Sequence, residues 1–420
     1  MEKSGKVMNR WYVVIGATVI QFCLGAIYAW SVFTPPLVGE GWTKTETQAV
    51  FSAGLAFFAL VMVFAGRLIP RLGPRKLTFL GGFALGMGYI LAGIFGATNF
   101  WVTFFLVGIM GGSGIGLAYV VPIAVGMRWF PDKKGLITGL AVAGFGFGAM
   151  LWVKLAGEWG NLLGNFGLSS TFIIYGAIFL IAVFAGGVFM VFPPEGFKPQ
   201  GWLPSALEGE KGSQSGEVNF ESGVMLKTPQ YYMILFTFLF GASAGLMSIG
   251  LMKLFPMEAL QAGGMELEKA SAIAGTAMAV FFSLANGIGR IAWGAFCEKL
   301  GVKLSIALMM GIQGVIVILF QWMAGREGLL YIGATLIGFN YGGVFSLFPM
   351  ITAGTFGTKT VGQNYPWVFL AYGIGGIFGP IMGGKLGDMG NFPLAFTICG
   401  VLCLLAAGII SFVKPVKFKG

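Results

Sequence analysis

Histidine is absent from the 420-residue chain, and charged residues make up only 10% of it. The first absence removes the side chain that most readily titrates near neutral pH, and with it a histidine proton relay or a histidine-held metal. The second is incompatible with a soluble globular protein, because 56% of the residues are hydrophobic and too few charges remain to cover a water-facing surface. Cysteine is scarce as well. Cys23, Cys297, Cys399 and Cys403 have no metal-ligand spacing and fall in or beside apolar runs, so they read as packing residues. With no nucleophile arrangement, metal cluster or cofactor loop in view, the chain is not expected to be an enzyme, and neither a cofactor nor a metal is expected.

What is present in quantity is apolar sequence, with a mean hydropathy of +0.84. Runs of about 20 apolar residues, long enough to cross a bilayer, recur throughout. Their approximate cores are residues 11–32, 47–66, 77–97, 100–127, 135–157, 169–191, 231–255, 270–296, 304–323, 329–355, 363–384 and 392–413. The fold class is therefore an all-α membrane protein with twelve transmembrane helices. A charged start (Lys3, Lys6, Arg10) without a small-residue cleavage site implies that the first span is retained rather than removed as a signal peptide.

Charge placement sets the expected orientation. Only Lys44, Lys269, Arg326 and Lys385 fall in loops on the side opposite the N-terminus, while Lys154, Lys253 and Arg290 lie in spans and every other Lys and Arg is on the N-terminal side. The positive-inside rule then places both termini in the cytoplasm of a cell (inner or plasma) membrane. The net charge of +10 is thus a topology signal and gives no reason to expect nucleic acid as a partner.

The chain divides in two. Residues 192–228, with Pro193, Pro194, Pro199 and a Gly/Ser/Glu-rich run, form a polar cytoplasmic linker between an N-terminal six-helix bundle, 1–191, and a C-terminal one, 229–420. The halves repeat: Gly66, Arg71, Gly73 and Arg75 after the second span match Gly294, Lys299, Gly301 and Lys303 after the eighth at one constant offset. Two pseudo-symmetric bundles around a central cavity suit transport by rocking one half against the other. The 70 glycines concentrate inside spans, at 111–116, 144–148 and 373–376, where close helix approach explains them better than a phosphate loop.

Arg290 is the candidate site residue. A guanidinium inside an apolar span costs roughly 3 kcal/mol or more and normally faces the bundle interior with a partner. No acid on its own helix is placed to be that partner, Glu298 being eight residues on. A carboxylate ligand would fill the gap. The alternative is that Arg290 snorkels to the interface and only anchors its helix. Asn286, one turn earlier on the same face, would meet the same ligand. Lys154 precedes Glu158 by one turn, so a local ion pair near the external end is the simpler reading.

The loop Arg128-Trp129-Phe130-Pro131-Asp132-Lys133-Lys134-Gly135-Leu136, followed by Gly139 and Ala143-Gly144-Phe145-Gly146, resembles the signature between the fourth and fifth spans of one branch of the major facilitator superfamily (MFS). That branch contains the monocarboxylate transporters and oxalate–formate antiporters. Asn9-Arg10-Trp11, Asn286-Gly287-Ile288-Gly289-Arg290 with Trp293-Gly294, and Asn364-Tyr365 extend the similarity over essentially the whole chain, which is most like bacterial monocarboxylate (lactate) transporters. The resemblance implies the MFS fold, a carboxylate-binding role for Arg290, and a cavity lined by Tyr28, Tyr119, Tyr341 and Tyr372. Departures matter. The antiporter has a lysine where this chain has Tyr372, animal monocarboxylate transporters have an acid where it has Asn286, and Pro70 replaces the usual acid after the second span.

Charge counting bears on substrate independently of family. One guanidinium balances one carboxylate, and a second anionic group would cost several kcal/mol in a low-dielectric site. Monocarboxylates such as L-lactate and pyruvate are the expected cargo. The tyrosine hydroxyls and the Asn286 amide would meet a 2-hydroxyl or 2-keto group, and Phe345 and Phe369 would bound an apolar tail, although each tyrosine taken singly reads nearly as well as packing. The expected partners are a small monocarboxylate anion, a proton as co-substrate and the lipid bilayer. Every acid lies in a loop or near a span end, so no central carboxylate offers itself as proton carrier. Exchange against another anion, as in the oxalate–formate antiporter, is the alternative to proton symport. A carboxylate receptor signalling through the linker lacks any recognisable signalling domain.

Overall fold

A computed structural model describes residues 8–42, 44–156, 159–199, 219–252, 254–414 and 416. The middle of the linker, Glu158 and Lys253 lie outside these. Among the described residues, 12 helices are long and apolar enough to cross a membrane. They are α1 (Trp11–Trp30), α2 (Ala49–Leu72), α3 (Pro74–Phe95), α4 (Phe100–Trp129), α5 (Lys134–Ala156), α6 (Leu162–Gly187), α7 (Pro229–Leu251), α8 (Leu267–Leu300), α9 (Val302–Met323), α10 (Glu327–Phe356), α11 (Val361–Gly387) and α12 (Phe392–Ser411). The exposed sides of these helices carry large apolar residues such as Phe105, Ile181, Leu319 and Leu405, as a lipid-facing surface requires.

Glycine sets how the helices pack, and the same device appears in both halves. A Cβ on Gly86 of α3 would lie 2.8 Å from the Gly176 carbonyl of α6, and one on Gly314 of α9 would lie 2.7 Å from the Gly400 carbonyl of α12. Backbones in near contact gain dispersion energy that larger side chains would prevent, which is the main source of helix association in lipid. The pair α1 and α5 repeats as α7 and α11: a Cβ on Gly148 would meet Phe22 O at 2.5 Å, and one on Gly379 would meet Ser243 O at 2.2 Å.

The two halves meet through α5 against α8 and α2 against α11, and this contact is tightest at the end that carries the basic loops. Gly135 of α5 and Gly294 of α8 face each other so closely that a Cβ on Gly135 would sit 2.2 Å from the Gly294 carbonyl; one on Gly66 would sit 2.4 Å from the Gly362 carbonyl. Side chains reinforce the seal. Arg128 Nη2 donates to the Lys359 carbonyl at 2.6 Å, and Glu298 Oε1 accepts from the Leu136 amide at the start of α5 at 2.9 Å. A carboxylate there also complements the positive end of the helix. At the pseudo-equivalent place in the N-terminal half, where Pro70 stands instead of an acid, Arg67 lies over the Trp367 ring, 5.0 Å from its centroid. The latch is therefore a carboxylate on a backbone amide on one side and a cation over an aromatic ring on the other.

At the opposite end the halves part around a cavity of about 370 Å³, lined by Tyr28, Gly146, Met150 and Lys154 from one half and Ile249, Met278 and Asn286 from the other, among others. Lys154 thus reaches the cavity wall instead of serving only as an external anchor. The ion pair expected with Glu158 lies outside the described residues. Because a Cβ on Gly139 would come within 2.4 Å of the Arg290 carbonyl, Gly139→Leu is predicted to wedge α5 from α8 at a cost of roughly 1–3 kcal/mol. The expected result is slow transport by a protein that still inserts, with a cysteine placed at Thr358 becoming more reactive to an impermeant thiol reagent; unchanged reactivity would show that the contact does not form the seal.

Candidate functional site

Beneath the cavity floor sits Arg290, fully buried. It is the one charged side chain among the described residues that is buried, and its depth disposes of the reading in which it snorkels to an interface. A π-helical stretch, Ala277–Phe282, precedes the Ser283–Leu300 segment of α8 and shifts its register; such bulges recur at functional sites. Asn286 and Arg290 are one turn apart, and only Asn286 reaches the cavity lining. Arg290 stays covered, one turn deeper, with the cavity present.

The protein supplies hydrogen-bond acceptors to two of the three guanidinium nitrogens. Its Nε donates to Asn286 Oδ1 at 3.2 Å and its Nη1 to the Val142 carbonyl at 3.1 Å, while Nη2 has no hydrogen-bond partner. The Cζ atom lies 4.0 Å from the Phe345 ring centroid and 5.3 Å from that of Phe145. Cation–π contact of this kind is worth about 2 kcal/mol when desolvated. Asn286 in turn donates Nδ2 to the Gly338 carbonyl at 3.3 Å, so its amide is occupied in holding Arg290. Ser346 donates its hydroxyl to the Arg290 carbonyl at 2.5 Å and ties α10 to the same turn.

Around this centre the structure brings together all eight side chains singled out from sequence. The Tyr28 and Tyr372 hydroxyls hydrogen-bond to each other across the two halves. The Tyr119 hydroxyl faces Arg290 and that of Tyr341 faces Tyr28, each at the edge of hydrogen-bonding geometry. Phe369 packs on Tyr372 at 4.8 Å and on Tyr119 at 5.4 Å between ring centroids. Phe345 has a different place from the apolar wall expected of it: it lies against the guanidinium and contacts Tyr341 and Tyr372.

Three residues of the cage were not picked out. Phe58 touches Tyr119 and Phe369, both at 5.0 Å, and Phe145 lies under Arg290 and against Tyr28 at 5.1 Å. Phe58 sits in an apolar run with no distinguishing signal; Phe145 lies in the Gly144–Gly148 motif, which was read as packing only. Tyr365, buried with an unpartnered hydroxyl in the field of Arg290, Tyr119 and Tyr28, is the third. It stands in the Asn364-Tyr365 pair of the family resemblance, which gave it no site role.

The chemistry on offer is that of an anion site with one net positive charge. A buried donor left unpaired costs about 1–3 kcal/mol, and a carboxylate would satisfy Nη2. No group of three or more His, Cys, Asp or Glu among the described residues could hold a metal ion. Replacing Asn286 with alanine is predicted to leave Nε unpaired as well, to weaken carboxylate binding roughly tenfold, and to leave the amount of folded protein unchanged; equilibrium ligand binding by the purified variant checks this.

Comparison with known proteins places the chain. The model of the Major Facilitator Superfamily matches residues 14–281 and 257–419. The oxalate:formate antiporter of Oxalobacter formigenes is 26% identical, with 99% of this chain and 94% of that protein covered. The apicoplast pyruvate carrier 1 of Toxoplasma gondii is 25% identical, with 88% and 82% covered. Among solved structures, the Escherichia coli fucose:proton symporter shares the fold at 14% identity and a TM-score of 0.69, over 96% of this chain and 100% of the other. The chain belongs to the major facilitator superfamily, in the branch of the monocarboxylate transporters and oxalate–formate antiporters.

Proposed function

We propose that the protein carries small monocarboxylates of the L-lactate and pyruvate type across the cell membrane by alternating access, the bundles 1–191 and 229–420 rocking about Arg290. The single observation that supports this best is a buried guanidinium with one unpartnered nitrogen and no acid buried with it among the described residues. One cation balances one carboxylate; a dicarboxylate would leave a charge uncompensated at a cost of several kcal/mol. The positive-inside rule puts the sealed basic end and both termini in the cytoplasm. In that orientation the cavity faces outward, and the molecule is in an outward-facing state with its anion site covered.

Proton symport is the coupling we favour for uptake, because a lone anion entering a negative cell costs about 2.3 kcal/mol per 100 mV and a proton cancels that charge. Exchange is the second reading, and one observation favours it: with Asn286 in place of an acid, nothing on α8 neutralises Arg290 when the carrier returns empty. A bound anion on the return stroke would serve. Of the two relatives, one is named for oxalate:formate antiport, a case of exchange, and the other for pyruvate, a monocarboxylate.

Radiolabelled L-lactate uptake into proteoliposomes separates the alternatives. Accumulation driven by an inward proton gradient into empty vesicles is the expected outcome; uptake only into vesicles preloaded with lactate or formate would reassign the coupling to exchange, and no uptake in either would defeat the monocarboxylate assignment. Arg290→Lys keeps the charge and loses the planar fork that matches two carboxylate oxygens. Its uptake is expected below roughly a tenth of the parent's, and full retention would show that Arg290 is not the anion site.

A further inference from the structure

The unassigned tyrosine on α11 carries a further inference, which rests on the monocarboxylate reading. We infer that the Tyr365 hydroxyl binds the 2-hydroxyl or 2-keto oxygen of the substrate and thereby selects 2-oxygenated acids over plain short-chain ones. Four observations point to it.

Tyr365 is fully buried, and its hydroxyl has no hydrogen-bond partner. A phenol without a partner in a dry interior gains nothing from its oxygen unless something arrives to meet it. Its ring neighbour Phe369 also packs on Tyr119 and Tyr372, so Tyr365 belongs to the aromatic cluster around the guanidinium. Its position is fixed from both sides. The ring packs on Phe369 with centroids 5.6 Å apart, and the preceding Asn364 donates to the Phe220 carbonyl at 2.9 Å while accepting from Ser222 Oγ at 2.9 Å.

The fourth observation is which donors remain. Asn286 already has protein partners in Arg290 and Gly338, and Tyr28 and Tyr372 have each other. Tyr119 faces Arg290 and Tyr341 faces Tyr28, which makes Tyr365 the tyrosine of this cluster whose hydroxyl has no hydrogen-bonding neighbour. Tyr365 stands seven residues from Tyr372, about 10 Å along the helix at about 1.5 Å per residue, towards the sealed end. Tyr365 therefore sits on the side of the cluster away from the cavity that Tyr28 lines. A carboxylate held by Nη2 would bring its 2-oxygen into this cluster. A phenol both donates and accepts, so it serves a keto oxygen and a hydroxyl alike.

Isobutyrate has the shape of lactate with a methyl in place of the hydroxyl, and the pair isolates this contact. Half-saturating concentrations for uptake of radiolabelled L-lactate and isobutyrate are measured in proteoliposomes with the parent protein and with Tyr365→Phe, which removes one oxygen and leaves no partner stranded. The parent is expected to favour lactate by roughly tenfold or more, and Tyr365→Phe to bring the ratio within about twofold of one. Tyr365→Met, which also lacks the hydroxyl, gives the same ratio if the phenylalanine variant inserts poorly. A preserved lactate preference in either variant overturns the inference, as does an equal loss for both acids, which would mark Tyr365 as packing. A parent protein that moves neither acid instead defeats the monocarboxylate reading itself.

Discussion

A guanidinium held out of water, with no acid buried beside it among the described residues, is the constraint to which the rest of the structure answers. Three helices close on it through glycine. A Cβ on Gly139 of α5 would strike the Arg290 carbonyl, one on Gly289 would come within 2.0 Å of the Phe339 carbonyl of α10, and one on Gly342 within 2.2 Å of the Asn286 carbonyl. Such close approach brings the Val142 carbonyl, the Asn286 amide and the Phe345 ring within reach of one side chain. Each supplies part of the solvation that water no longer gives, and Nη2 is left over. Anything with a carboxylate completes the set.

The same constraint bears on movement. Opening the cavity does not expose Arg290, because Asn286 and the Tyr28–Tyr372 pair intervene. That pair joins the two halves, so it must rearrange when one half rocks against the other. At the far end the seal is made of several weak parts: a helix-capping carboxylate, a cation over tryptophan, an arginine on a carbonyl and glycine contacts. Interactions of about 1 kcal/mol each can be broken together by the energy of a transport cycle, which a single buried ion pair of 3–5 kcal/mol would resist.

Much of this was legible in the chain because the bilayer enforces simple rules. Twelve apolar runs became the twelve spans, and Arg290 stood out because a charge in such a run is rare and costly. Asn286 followed from helical spacing, and Tyr119 and Tyr341 from the family resemblance. Phe58 and Phe145 stayed hidden because an aromatic among apolar neighbours looks the same whether it packs against lipid, helix or a guanidinium. Tyr365 was hidden for a related reason: only burial and an unpartnered hydroxyl distinguish it from a packing tyrosine, and neither is written in one-dimensional sequence. Lys154 was read from its neighbour Glu158, whereas its reach to the cavity wall depends on how α5 faces α8.

The central claim, that one buried cation defines a site for one carboxylate, is tested most directly by titration calorimetry of the purified protein with L-lactate and with oxalate. One lactate bound per chain, with oxalate weaker by roughly tenfold or more, is the predicted result. Oxalate binding as tightly as lactate or tighter would contradict a single-cation site and would require a second charge, with Lys154 on the cavity wall the first to test.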